Sequence, residues 1–233
     1  STLTFTNSNW NSAQTVTVTG VDDNLIDGTQ TTTVTVSVVD ASSADAYDSV
    51  ADSTVSVATS DDDTAGFTLS GTSATVTEAG STATFTAVLD AQPASDVVLS
   101  VSSADTGEVT VSPAQLTFTS SNWNAAQTVT VTGVNDSLTD GNQTTAVIVS
   151  IVDASSDNAF DALADQTVTV TTSDDDSPGV SVTESDGSTT TTESGGTDSF
   201  TVVLNTQPSS DVVASVVSSD TGEVTVAPAQ LTF

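Results

Sequence analysis

The chain repeats itself at an interval the size of a whole domain. Leu3-Thr4-Phe5 returns as Leu116-Thr117-Phe118 after 113 residues, and again as Leu231-Thr232-Phe233 after a further 115. Trp10 returns as Trp123, and Asp61-Asp62-Asp63 as Asp174-Asp175-Asp176, both at 113. The two extra residues of the second interval enter between Gly179 and Glu193, because Glu78 matches Glu193 at 115. Solenoid rungs take roughly 20–45 residues, so this period belongs to a self-contained sandwich. The polar stretches Ser60-Asp61-Asp62-Asp63-Thr64-Ala65-Gly66 and Ser173-Asp174-Asp175-Asp176-Ser177-Pro178-Gly179 read as linkers. They set one complete repeat at 65–177, the C-terminal half of a preceding repeat at 1–64 and the N-terminal half of a following one at 178–233.

Within the complete repeat, turn residues separate seven strand runs: 67–69 with 74–77, 82–89, 97–102, 109–118, 127–132, 144–151 and 166–171. In Thr128-Val129-Thr130-Val131-Thr132 the apolar residue comes every second position, which puts Val on the core and Thr in water. The expectation is an all-β chain of tandem immunoglobulin-like antiparallel β-sandwiches, about seven strands each. The two half repeats are complementary: 178–233 followed by 1–64 spells one further complete domain. Each half alone would leave a face of Val, Leu and Phe in water.

Charge narrows the partners. The 233 residues include no Lys, Arg, His, Cys or Met, and the formal net charge is −31. Nucleic-acid binding rests on cationic side chains that neutralise phosphates, so it is excluded, and an anionic membrane surface repels such a chain. No apolar run approaches the ~18 residues of a membrane span. A disordered acidic tail would lack the regular Val–Thr alternation. Without cysteine the fold cannot rely on disulfides, which suits a bacterial surface protein better than a small secreted animal module. With neither a leader pattern nor an initiating Met, we expect a window of a longer extracellular or cell-surface polypeptide. With no internal cation every carboxylate repels its neighbours. Salt screens beyond about 10 Å at 0.1 M, so clustered carboxylates call for a multivalent metal.

The ordered set of motifs resembles the Calx-beta domain family of sodium–calcium exchangers, integrin β4 and large bacterial surface proteins. The resemblance rests on Thr77-Glu78, on Gly107-Glu108-Val109 before Leu116-Thr117-Phe118, and on the Gln127–Gly133 run. It continues through Asn135-Asp136 with Asp140-Gly141 and closes on Ser173-Asp174-Asp175-Asp176. It covers the whole chain when the half repeats are counted, and the bacterial form with Asn-Trp-Asn before the Gln-Thr-Val strand matches best. The resemblance implies calcium at one end of the sandwich, held by Glu78, Asp105, Asp136, Asp140, Asp174, Asp175 and Asp176. In the preceding half repeat it implies Asp22, Asp23, Asp27, Asp61, Asp62 and Asp63, and in the following one Glu193 and Asp220. Two positions depart: Asn135 stands where the first repeat has Asp22, and Gln30 and Gln143 stand where a further acid sometimes sits.

The chemistry points the same way. Calcium takes about six to eight oxygen ligands and favours clustered carboxylates. An Asp-Asp-Asp run at a strand end alternates its side chains, so a second loop must supply the remaining oxygens, and the Asp22-Asp23 and Asp27 loop is a suitable donor. The competing reading is that the Asp runs are solvated linker turns. An EF-hand is excluded: with Gly28 as its sixth position, Leu25 would fall on a ligand position, and the flanks are strands. Trp10 and Trp123 fit loop anchors that close the sandwich end better than sugar-stacking platforms. The sequons Asn135-Asp136-Ser137 and Asn142-Gln143-Thr144 match by a short pattern only.

No His, Lys or Cys offers a base or nucleophile, which leaves carboxylate-pair chemistry alone, and an active site rarely recurs in every module of an array. No enzyme activity is expected. The leading expectation is a structural segment of an adhesin shaft, stalk or fibre, stiffened by calcium at domain junctions. Its partners would be other repeats of the same polypeptide or other copies of the chain. The alternatives are a surface module recognising glycans or a partner, and a calcium-sensing regulatory domain. Near-uniform repeats favour spacing over recognition.

Overall fold

Val–Thr alternation makes a strand only where a neighbouring strand accepts its hydrogen bonds, and this chain contains both outcomes. A computed structural model describes residues Ser1–Phe233, which divide into the units Ser1–Thr64 and Ala65–Phe233. In the first unit, β1 (Gln30–Val36) and β2 (Ser53–Thr59) form an antiparallel pair running from Gln30↔Thr59 to Val36↔Ser53. The alternating segment 14–20 of this unit joins no sheet.

The second unit holds a full sandwich. Its strands are β3 (Phe67–Leu69), β4 (Ser73–Thr77), β5 (Thr82–Leu89), β6 (Val97–Ser103), β7 (Val109–Ser112), β8 (Gln115–Phe118), β9 (Gln127–Gly133), β10 (Gln143–Ile151) and β11 (Gln166–Ser173). One sheet runs β4-β11-β10-β6-β8 and the other β3-β5-β9-β7. This is the expected immunoglobulin-like all-β sandwich, with two refinements. The run 109–118 is broken at Pro113, which has no N–H to give a ladder, and its two parts join opposite sheets as β7 and β8. The segments 67–69 and 74–77, grouped as one run, likewise join opposite sheets as β3 and β4. The sandwich is also not wholly antiparallel, because β4 pairs parallel with β11 from Thr169↔Ser73 to Ser173↔Thr77.

The core lies between the two sheets. Val129 and Val131 of β9, Phe85, Ala87 and Leu89 of β5, Val97, Leu99 and Val101 of β6, and Val147 and Val149 of β10 are all buried, at alternate positions. Every buried apolar side chain of the protein lies between Phe67 and Val170. At roughly 1.5–3 kcal/mol for each fully buried large apolar side chain, this is the main stabilising term of the chain.

Residues beyond the sandwich form two separate strand pairs: β12 (Val180–Glu184) with β13 (Phe200–Leu204), and β14 (Val213–Ser215) with β15 (Gln230–Thr232). Their registers copy the sandwich. Val180↔Leu204 repeats Phe67↔Leu89, and Val213↔Thr232 repeats Val98↔Thr117. In the first unit, Gln30↔Thr59 likewise repeats Gln143↔Thr172. Each half repeat therefore keeps the pairings whose partners it contains.

Candidate metal centre

The ends of β4, β9 and β11 and the loop before β10 meet at one end of the sandwich. Gly133 lets them meet. A Cβ there would lie 2.2 Å from the Thr77 carbonyl oxygen, so only glycine allows the end of β9 to pass the end of β4. The Gly133 amide donates to the Ser81 carbonyl at 3.1 Å and the Val134 amide to the Glu108 carbonyl at 2.9 Å. Glu78, which follows β4, is pinned by its own amide donating to the Ser173 carbonyl at 3.1 Å.

Two carboxylate trios result. Glu78, Asp175 and Asp176 bring one oxygen each within 4.8 Å of one another, and Glu108, Asp136 and Asp140 do the same. Glu78 is 1% exposed, and neither of its carboxylate oxygens has a hydrogen-bond partner. Buried oxygens of Glu108 and Asp176 are also unpartnered. An ionised carboxylate taken from water without a partner costs several kcal/mol, so such a group must be protonated or held by a cation.

The local fields agree. Burial pushes the Glu78 carboxyl above the ordinary carboxylate range, and Asp174, Asp136 and Glu108 add repulsion. The nearby Asp175 amide offsets part of that rise without reaching hydrogen-bond geometry. Burial also raises Glu108, helped by Asp140, Asp136 and Asp105, and raises Asp176, helped by Asp174, Asp175 and Asp136. Asp136, of the second trio, acts on members of both. The two trios form one electrostatic site.

The surrounding hydrogen bonds set the loops. Asp174 accepts from the Gly141 amide at 2.8 Å and from the Asp176 amide at 2.7 Å, which ties the terminal Asp run to the loop before β10. Asp136 accepts from the Leu138 amide at 2.7 Å. That loop also touches the following half repeat: the Gln207 amide donates to the Ser137 carbonyl at 2.8 Å, and Leu138 bridges Gln207 in parallel.

Of the residues expected in the complete repeat, Glu78, Asp136, Asp140, Asp175 and Asp176 are brought into the two trios. Asp174 is spent on amides, and Asp105 is exposed, its carboxylate capping the turn at Gly107 at 2.9 Å. Glu108 belongs to the site, although the resemblance that rests partly on Gly107-Glu108-Val109 did not imply it as a ligand. Its recurrence as Glu223 at 115, before the matched pair Val109 and Val224, was the available signal.

The half repeats hold incomplete versions. Asp22, Asp23, Asp27, Asp61, Asp62 and Asp63 line one cleft of the first unit. There the amides of Asp63, Gly28 and Asp27 hold Asp61 below the ordinary range, while burial and Asp61, Asp62, Asp22 and Asp23 raise Asp63. No three carboxylates of that cleft come within ligand reach of one another. Glu193 and Asp220 are exposed and join no cluster, so the structure does not bring these two expected ligands to a site.

Trp123 is half-buried, and its carbonyl accepts from the Leu89 amide at 3.1 Å, whereas Trp10 is exposed.

No described protein family matches the chain, and no curated protein does. Among solved structures it is similar to SSP-19, an MSP-domain-like protein of Caenorhabditis elegans, at 22% identity over 46% of this chain and 97% of that one, with a TM-score of 0.32. The Escherichia coli chaperone DraB is similar at 10% identity over 50% of this chain and 59% of its own, TM-score 0.37. Domains 1–6 of the surface layer protein SbsC are similar at 15% identity over 70% and 20%, TM-score 0.35. No helix of the chain is long and apolar enough to cross a membrane. Fold and site together define the class: an immunoglobulin-like β-sandwich repeat with a carboxylate-lined end.

Proposed function

We propose that the chain is a structural segment of a large extracellular bacterial protein, built from Calx-beta-like repeats and stiffened by calcium at the repeat junctions. Glu78 is the observation that supports this most, a buried carboxylate with both oxygens unpartnered and repelled by Asp174, Asp136 and Glu108. Six carboxylates in two trios suit hard, oxygen-seeking cations. Glu78, Asp175 and Asp176 would hold one ion, and Glu108, Asp136 and Asp140 another. Bound metal would neutralise the repulsion and lock the 136–140 loop, which touches the next repeat at Gln207. The result is a stiffer joint.

Calcium titration of the metal-free chain, read by melting temperature, tests this. A ligand at about 100 times its Kd stabilises by about 2.7 kcal/mol, so a clear rise is expected, reversed by chelator. A melting curve indifferent to both sinks the reading.

A further inference from the structure

We propose that Gln143 and Asp174 clamp the Asp140–Gly141 peptide unit and so guard Asp140 against conversion to isoaspartate. The loop leaves little choice of residues. Gly141 has φ +78°, in the left-handed region that favours glycine, and Asp140 is an exposed member of the second trio. An aspartate followed by glycine is the result. With no side chain on Gly141 to shield it, the Gly141 amide nitrogen can attack Cγ of Asp140. An N–Cγ bond forms, the bond from Cγ to its hydroxyl oxygen breaks, and that hydroxyl leaves with the amide proton as water. Solvent water then opens the succinimide ring at either carbonyl. Opening at the former main-chain carbonyl routes the backbone through the side chain. The isoaspartate so formed has unchanged mass, but its carboxylate has moved off the end of the side chain.

The attack requires the rigid plane of the peptide unit to turn about the Asp140 Cα–C bond. Both polar ends of that plane are held. The Gly141 amide donates to Asp174 at 2.8 Å, and Gln143 Nε2 donates to the Asp140 carbonyl at 3.2 Å. The first unit carries the same clamp in the same residue types. There Gly28, at φ +69°, donates its amide to Asp61 at 2.7 Å, and Gln30 Nε2 donates to the Asp27 carbonyl at 2.8 Å. An acid at the glutamine position could not do this, because an ionised carboxylate has no proton to donate. The third such dipeptide, Asp186-Gly187, also turns at φ +78°. Neither its Asp186 carbonyl nor its Gly187 amide is hydrogen-bonded, and Asp186 joins no trio. The clamp thus accompanies the two dipeptides on acidic loops and is missing from the one elsewhere.

The clamp itself needs no metal; that Asp140 is guarded as a ligand rests on the calcium reading. To test both, the full chain is aged in chelator and in calcium. Isoaspartate is counted by methyl transfer from an isoaspartate-specific methyltransferase and located with a protease that cuts before aspartate but not before isoaspartate. In chelator Asp186 should convert fastest, and Asp27 and Asp140 at least ~5-fold more slowly. Gln143→Leu should raise conversion at Asp140 roughly fivefold, the factor that one net hydrogen bond represents, and leave Asp27 unchanged. Gln30→Leu should do the reverse. A variant that merely loosened the fold would instead speed Asp27 and Asp140 together. Calcium should slow Asp140 further and leave Asp186 unchanged. Equal conversion of Asp140 and Asp186 in the unaltered chain overturns the proposal. So does a Gln143→Leu chain in which Asp140 gains nothing, or in which Asp27 gains as much. Clamp effects that persist while calcium leaves Asp140 unaffected would uphold the clamp and count against the calcium reading.

Discussion

The heptapeptide Gln-Thr-Val-Thr-Val-Thr-Gly occurs twice with opposite results. At β9 it is paired on both sides and buries Val129 and Val131. At 14–20 it joins no sheet and exposes Val16 and Val18. Local propensity is identical, so the difference belongs wholly to neighbours, as expected if β propensity measures fit to a pleated, half-buried surface. The same contrast runs through the carboxylates. The complete repeat gathers six of them into two trios, while each half holds only its own share.

The largest test of this contrast compares equivalent phenylalanines. Phe118→Ala should cost about 3–5 kcal/mol in chemical denaturation, because Phe118 is fully buried. Phe5→Ala removes the same atoms from an exposed position and should cost less than ~0.5 kcal/mol. Similar losses at the two sites would mean that the first unit has a core not evident here.

Next come the ligands. Asp140→Asn should remove much of a calcium-induced stabilisation of about 2.7 kcal/mol, whereas Asp27→Asn, which belongs to no trio, should leave it intact. A smaller effect with the opposite sign is expected for Glu78→Gln. Without calcium, at a pH above the raised Glu78 value, it should stabilise by roughly 1–2 kcal/mol, since it removes an unpartnered buried carboxylate, and it should blunt the calcium response. Glu193→Gln, on an exposed half-site residue, should do neither. Destabilisation of the calcium-free protein by Glu78→Gln would count against the electrostatic account.

The shallowest effect is on pH. Glu78, Glu108 and Asp176 are raised above their unfolded values, so the native state binds more protons in the window between the two. Stability of the calcium-free chain should therefore fall as pH rises through the raised values, and should be regained as pH drops back toward the ordinary carboxylate range. Calcium should flatten or invert that slope because protons then compete with metal. Melting temperatures across mildly acidic to neutral pH, with and without chelator, decide it.

Much of the fold was legible because period and alternation are carried by residues that repeat. The 113-residue spacing of Leu3-Thr4-Phe5 and Leu116-Thr117-Phe118 marks a period of domain size, and Val129 and Val131 face inward as their alternation requires. Strand breaks were less visible. Pro113 announced a missing donor, yet which sheet each fragment joins depends on distant partners. The acidic loops were legible as loops because Asp clusters mark turns. The division of labour inside them was not. Asp105 and Asp174 spend oxygens on the amides of Gly107, Gly141 and Asp176, while Glu108 turns its carboxylate to the site from the turn before β7. No local pattern separates an Asp that caps a turn from one free to take a ligand.

The parallel pairing of β4 with β11 has a mechanical consequence. These two strands lie near the two ends of the sandwich's sequence and run in the same direction over five residue pairs. Tension applied at the repeat's N- and C-termini pulls β4 backward and β11 forward along their common axis. Their hydrogen bonds are then loaded together in shear, rather than peeled one after another like a zip. Rupture requires the bonds of these five pairs to fail together, so this pairing should hold longer under tension than one peeled bond by bond.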